Sequence, residues 1–89
     1  MDAEELIRRG EQARLILESE DTMFFFRDEL ERIKQASFNT QPEEGKLRSE
    51  LYYRHHALSE FINSLKAYQT AAEELLAELK AKEQAKEID

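Results

Sequence analysis

A seven-residue repeat of apolar side chains runs without a break through the second half of this chain. Its members are Leu51, Leu58, Leu65, Ala72 and Leu79, and further apolar residues stand three or four positions from them. This spacing places apolar side chains along one face of an α-helix. No glycine or proline interrupts the repeat. The pattern predicts a long amphipathic helix over about residues 43–82, which Thr40 and Glu43 can cap at its start, followed by a charged tail at 83–89.

Two shorter helices are predicted before the long one, over about residues 2–19 and 21–36. Asp2 can cap the first of them, and the polar stretch that begins at Ser19 separates the two. The second helix has an apolar seam in which residues alternate by three and four positions: Met23, Phe26, Leu30 and Ile33. Gly10 lies on the apolar side of the first helix, although glycine is unfavourable within helices. Close approach of another backbone would explain a glycine here, and so would simple exposure to solvent.

The predicted elements define an all-α fold. A chain of 89 residues is long enough for one domain, and two glycines and one proline offer little from which to build sheet turns. We expect a helical hairpin in which two short N-terminal helices pack on one long C-terminal helix, as a single domain over 1–89.

Three consecutive phenylalanines, Phe24 to Phe26, are more than one buried face can cover. Adjacent helical residues point about 100° apart, so the three rings span about 200° of the helix circumference. We therefore expect an oligomer or a complex with another protein. Aromatic side chains dominate interface energetics, and the expected interface residues are Phe24, Phe25, Tyr52, Tyr53, Phe61 and Tyr68.

The net charge of −7 is concentrated in the first half of the chain, where residues 1–45 carry 12 acidic and 6 basic side chains. Such acidity disfavours general binding to nucleic acid, which depends on basic side chains that displace counterions. One basic, aromatic-rich stretch at 46–56 could still contact an anion or nucleic acid. Its candidate residues are Lys46, Arg48, Arg54 and His56.

The sequence offers little for catalysis or for metal binding. His56 and Glu60 have a spacing that can hold a metal ion, but such sites usually need three or four protein ligands, and the chain has no cysteine. No phosphate-binding glycine loop is present, and a two-layer hairpin offers little concavity. We expect no enzyme activity, no cofactor, no metal and no small-molecule substrate. With an acidic N-terminus and no long apolar run, we expect a cytoplasmic protein that does not interact with membranes.

One segment carries a resemblance to a known group of proteins. The segment Arg9-Gly10-Glu11-Gln12-Ala13-Arg14 is followed by an aromatic helix, a turn with Thr40 and Pro42, and a long helix. In this order of features the chain resembles small acidic α-helical bacteriophage proteins encoded among head and packaging genes, over about residues 8–79. A weaker likeness, through Gln12-Ala13 and the later phenylalanines, is to bacterial helical-hairpin regulators of competence and biofilm formation. The phage resemblance implies a part in particle assembly in the host cytoplasm and no assigned catalytic residues.

These observations predict a helical protein that binds other proteins, with a structural or accessory part in virion assembly or packaging. One alternative is an acidic inhibitor or regulator that occupies the nucleic-acid site of a host protein. Another is a weak nucleic-acid binder that uses the basic stretch at 46–56.

Overall fold

A computed structural model describes residues 1–88 and contains three helices. These are α1 (Ala3–Glu18), α2 (Glu20–Phe38) and α3 (Gly45–Ile88). Both α1 and α2 pack on α3, and the described residues contain no strand, which confirms the predicted all-α class and arrangement of helices. The last helix continues through residues 83–88 of the expected charged tail, and Asp89 lies outside the described residues.

The first two helices begin at side-chain caps. Asp2 Oδ1 accepts a hydrogen bond from the backbone N–H of Glu5 at 2.8 Å, which satisfies one of the free donors at the start of α1. Ser19 is the only residue between α1 and α2, and its extended backbone makes it the N-cap of α2. Ser19 Oγ accepts from the N–H of Thr22 at 3.3 Å and donates to Thr22 Oγ1 at 2.9 Å.

The connection between α2 and α3 differs in detail from the expected one. Thr40, expected to cap the long helix, instead donates its hydroxyl to Ser37 O at 2.8 Å and so satisfies a carbonyl at the end of α2. Glu44 occupies the start of α3, where its carboxylate accepts from the N–H of Gln41 at 2.7 Å and its carbonyl accepts from the N–H of Arg48 at 3.1 Å. The helix therefore begins at Gly45 and not at residue 43.

The core follows the seven-residue repeat of α3. Its buried and half-buried side chains alternate by four and three positions, the spacing that lets one helix pack along another. They are Leu51, His55, Leu58, Ile62, Leu65, Gln69 and Ala72. The last member of the predicted repeat, Leu79, is exposed.

The contacts of the chain form two compact units. The first contains α1 and the part of α3 from Ser64 onward, and the second contains Ser19 to Asn63. In the first unit, Gly10 and Ala13 of α1 and Ala72 of α3 are buried, and Gly10 lies against Ala72. In the second unit, Ile33 of α2 and Leu51 of α3 are the most deeply buried residues.

Within residues 1–88, no helix combines the length and the apolarity that crossing a membrane requires.

Candidate protein-interaction surface

Exposed aromatic side chains are the main feature of the molecular surface. Seven of the eight phenylalanines and tyrosines are exposed, and only Phe26 is half-buried. The seven include all six residues expected from the sequence to lie at an interface: Phe24, Phe25, Tyr52, Tyr53, Phe61 and Tyr68. Isolated apolar residues on a surface are ordinary, whereas contiguous apolar patches commonly mark binding sites. Which of these rings form a binding surface therefore depends on which of them lie next to one another.

The three consecutive phenylalanines divide between the core and the surface. Phe26 belongs to the seam of α2, and its ring centroid lies 5.9 Å from that of Phe61 on α3. Phe24 and Phe25 remain exposed, and their rings meet edge to face with centroids 5.5 Å apart. Phe24 is 58% and Phe25 69% exposed, which agrees with the angular spacing of the three residues on a helix.

An open apolar depression of about 400 Å³ lies beside Phe25 in the second unit. Thr22, Phe25, Phe26, Glu29 and Leu58 line it. The ring of Phe61 lies tilted against that of Phe26, and Arg54 contacts Glu29 at 3.7 Å. We call this surface the Phe25 face, and it consists of Phe25, Phe26, Glu29, Arg54, Leu58 and Phe61. Its centre is apolar, and one oppositely charged pair stands at its edge.

A second aromatic group lies around Tyr52. The rings of Tyr52 and Tyr53 meet edge to face with centroids 5.5 Å apart. The ring of Tyr52 also stacks on the imidazole of His56, with centroids 6.2 Å apart. Beside it is a smaller depression of about 160 Å³, lined by Ile33, Lys34, Ser37, Phe38, Leu51, Tyr52 and His55. Lys34 and His55 make this depression more polar than the one at the Phe25 face.

Phe38 is an exposed aromatic residue that the sequence interpretation did not include. It is the last residue of α2 and is 73% exposed, which is more than any other phenylalanine or tyrosine. Its position five residues after Ile33 places it off the seam, where it would not be buried. That spacing was the signal that could have identified it.

Two of the three lysine and arginine candidates in the basic stretch already have partners within the chain. The guanidinium of Arg48 donates to Thr40 Oγ1 at 3.1 Å, to Gln41 O at 2.6 Å and to Pro42 O at 3.3 Å. Arg54 pairs with Glu29, while Lys46 and His56 are exposed. Arg48 therefore holds the connection before α3, and its donors are directed at protein oxygens.

Tyr68, the remaining expected interface residue, lies in the first unit. Tyr68 lines an open depression of about 270 Å³, together with Leu6, Ser64, Ala67 and Ala71. Tyr68 is less exposed than the other expected interface residues. We therefore place it on the first unit and outside the Phe25 face.

The segment from Arg9 to Arg14 has structural roles in α1. A Cβ added at Gly10 would stand 2.1 Å from Ala72 Cβ, so the close approach that the sequence suggested is present. Arg14 forms ion pairs with Glu11 and Glu18 on the same helix. The hydrogen bond from Arg14 lowers the pKa of the Glu11 carboxyl, and Glu11 raises the pKa of Arg14.

The described residues contain no group of three or more His, Asp or Glu side chains that could hold a metal ion. His55 is half-buried in the seam, and His56 is exposed on the face of Tyr52.

The chemistry that the exposed aromatic side chains offer is the binding of apolar and aromatic groups from another molecule.

Comparisons with protein-family models, with curated proteins and with solved structures find no match to this chain.

Proposed function

We propose that this protein acts by binding other proteins through its exposed aromatic side chains. The observation that carries the proposal is the exposure of seven of its eight phenylalanine and tyrosine residues, including the rings around an apolar depression. Aromatic residues are enriched in interfaces, and burying them provides a large part of the binding free energy. The helices below them supply a scaffold on which these rings are presented.

The proposed setting is the assembly or packaging of a bacteriophage particle, in the cytoplasm of the host cell. The likeness of the segment Arg9 to Arg14, and of the order of features after it, to small phage proteins supports this setting. In it the protein is a structural or accessory component that contacts a protein of the particle or of the packaging apparatus. Purified particles and assembly intermediates, probed with an antibody against the chain, would show with which of them the protein travels.

Replacement of Phe25 by alanine tests the role of the exposed rings. We expect Phe25→Ala to reduce co-purification of a protein partner at least about tenfold, because the ring is an anchor of the interface. Its thermal unfolding should change little, since Phe25 is 69% exposed. Leu15→Ala is the matched control, as Leu15 is an exposed apolar residue of α1. A loss of stability with binding unchanged would show that Phe25 serves only the fold.

An acidic regulator is a second candidate, favoured by the uneven charge of the chain. Residues 1–45 carry a net charge of −6, with 12 acidic and 6 basic side chains, and can approach a basic nucleic-acid site on another protein. Competition with DNA for a basic partner would support this function. Direct binding to nucleic acid has less support, because Arg48 and Arg54 are engaged with oxygens of the chain itself. Salt-dependent retardation of DNA that Arg54→Ala diminishes would favour it.

A further inference from the structure

We propose that the Phe25 face binds the same face of a second copy of this chain, forming a two-fold symmetric dimer. The inference deepens the proposed function, because it rests on the exposed rings as a binding surface and names one partner for them. In such a dimer, two α2–α3 hairpins pack together as a bundle of four helices. Every contact then occurs twice, once in each direction across the symmetry axis.

The small core of the second unit is the first argument. No large side chain in the described residues is fully buried. The buried residues of this unit are Ile33, Leu51 and Ile62, one from α2 and two from α3. Two helices bury only the sides that face each other, whereas four helices enclose a core between them. A second hairpin against the Phe25 face would cover Leu58 and the three phenylalanines of that face.

The accessible surface of the chain is the second argument. It amounts to 7114 Å² for a mass of 10.5 kDa. A folded monomer of this mass is expected to expose about 5,400 Å², so this chain exposes about 1,700 Å² more. A standard protein interface removes about 800 Å² from each partner. The excess is therefore large enough for a stable dimer interface and for further exposed helix beyond it.

The charge of the Phe25 face decides between a second copy and a charged partner. Glu29 and Arg54 are its charged residues, and together they are neutral. The chain as a whole carries −7, so two copies repel each other over most of their surfaces. A basic protein would be drawn to the acidic parts of the chain and not to this neutral, apolar face. A second copy can bind at the Phe25 face, because each Glu29 and each Arg54 has an opposite charge within the assembled interface.

Sedimentation equilibrium of the purified full chain, from micromolar to millimolar concentration, tests the proposal. We expect the wild-type chain to form dimers. Phe25→Glu and Phe61→Glu should each raise the dimer dissociation constant at least about tenfold, because each dimer would bury two added carboxylates. Tyr53→Glu is the matched control: it adds the same charge at a ring that is 68% exposed but lies outside the Phe25 face. The control should dimerise like the wild type.

A monomeric wild type at millimolar concentration would overturn the proposal. Equal dimer dissociation constants for Phe25→Glu, Phe61→Glu and Tyr53→Glu would also overturn it. In the first case a heterologous partner could still bind, and co-purification would test the proposed function separately. Circular dichroism establishes that each variant is folded before it is compared.

Cross-linking provides a measurement that does not depend on the acidic variants. The chain has no cysteine, so a single introduced thiol reports one position. With a short bis-maleimide at a concentration where the wild type dimerises, Phe61→Cys should give covalent dimers and Tyr53→Cys should give few. The reverse pattern would place the interface elsewhere and overturn the proposal.

Discussion

At the scale of single residues, the contact between Gly10 and Ala72 leaves no room for a further methyl group. A Cβ at position 10 would stand 2.1 Å from Ala72 Cβ and 3.0 Å from the Tyr68 carbonyl oxygen. Neither atom is at the end of a flexible side chain, so relief would need a shift of α1 away from α3. The absence of a side chain is what allows the two helices to meet.

Gly10→Ala is expected to destabilise the fold. Overpacking typically costs about 1–3 kcal/mol, which outweighs the roughly 1 kcal/mol that alanine gains over glycine in a helix interior. Urea unfolding of the variant should therefore have a lower midpoint. Gly45→Ala is the control, because a Cβ there would meet only the end of Arg48, at 3.6 Å. An unchanged or higher midpoint for Gly10→Ala would show that the helices separate at no cost.

At the scale of elements, the connection between α2 and α3 is held by Arg48. This one side chain donates to Thr40, Gln41 and Pro42, so it ties the first turns of α3 to the segment before it. The planar guanidinium, with several donors in fixed directions, suits this cluster of oxygens.

Arg48→Ala is expected to lower the free energy of unfolding by about 1–2 kcal/mol, since hydrogen bonds to a charged donor are stronger than neutral ones. Arg48→Lys should restore little of that stability, because an ammonium cannot reproduce the directions of the guanidinium donors. Lys46→Ala, in the same turn of α3, should change the free energy by no more than about 0.5 kcal/mol. Equal effects of Arg48→Ala and Lys46→Ala in urea unfolding would contradict this role.

The elements also show what the sequence could and could not predict. The repeat from Leu51 to Ala72 predicts the core side of α3, because a 3.5-residue spacing leaves one continuous side to bury. The start of α3 is less predictable. Thr40 and Glu43 fit a cap pattern, yet the Thr40 hydroxyl donates to Ser37 O of α2, and it is the Glu44 carboxylate that accepts from the N–H of Gln41. Several nearby polar side chains can satisfy the same backbone groups, and only the three-dimensional structure selects among them.

The candidate surface was predictable in composition and not in shape. The angular spread of Phe24 to Phe26 correctly indicated exposed rings, since at most one of three adjacent helical residues can point to a narrow seam. The depression beside Phe25 depends on how α2 lies against α3 near Leu58, which involves residues distant in sequence. The engagement of Arg48 with Gln41 and Pro42 carbonyls could not be predicted from charge alone.

At the scale of the whole molecule, stability should depend on protein concentration. Anything that binds the folded chain and not the unfolded chain stabilises it by mass action, and in the proposed dimer the second copy is such a ligand. The accessible surface of the chain is large, 7114 Å². Dimer formation can therefore add more stability to this chain than to one with a larger core of its own. We expect the thermal unfolding midpoint of the wild type to rise by a few degrees for each roughly tenfold increase in concentration.

The dependence of the thermal unfolding midpoint on protein concentration also separates dimer formation from the intrinsic stability of the monomer. The midpoint of Phe25→Glu should rise less with concentration than that of the wild type, and Tyr53→Glu should follow the wild type. Differential scanning calorimetry at several concentrations is the measurement. A wild-type midpoint that does not move between micromolar and millimolar protein would mean that the folded chain unfolds as a monomer.

The contact at Gly10 also has an evolutionary consequence. Two backbones this close leave room for a single methyl group between them, and here Ala72 supplies it. Homologous chains that keep this crossing should therefore covary at positions 10 and 72, with alanine at the first accompanied by glycine at the second. A larger residue at either position would identify a lineage in which the first helix packs in another way.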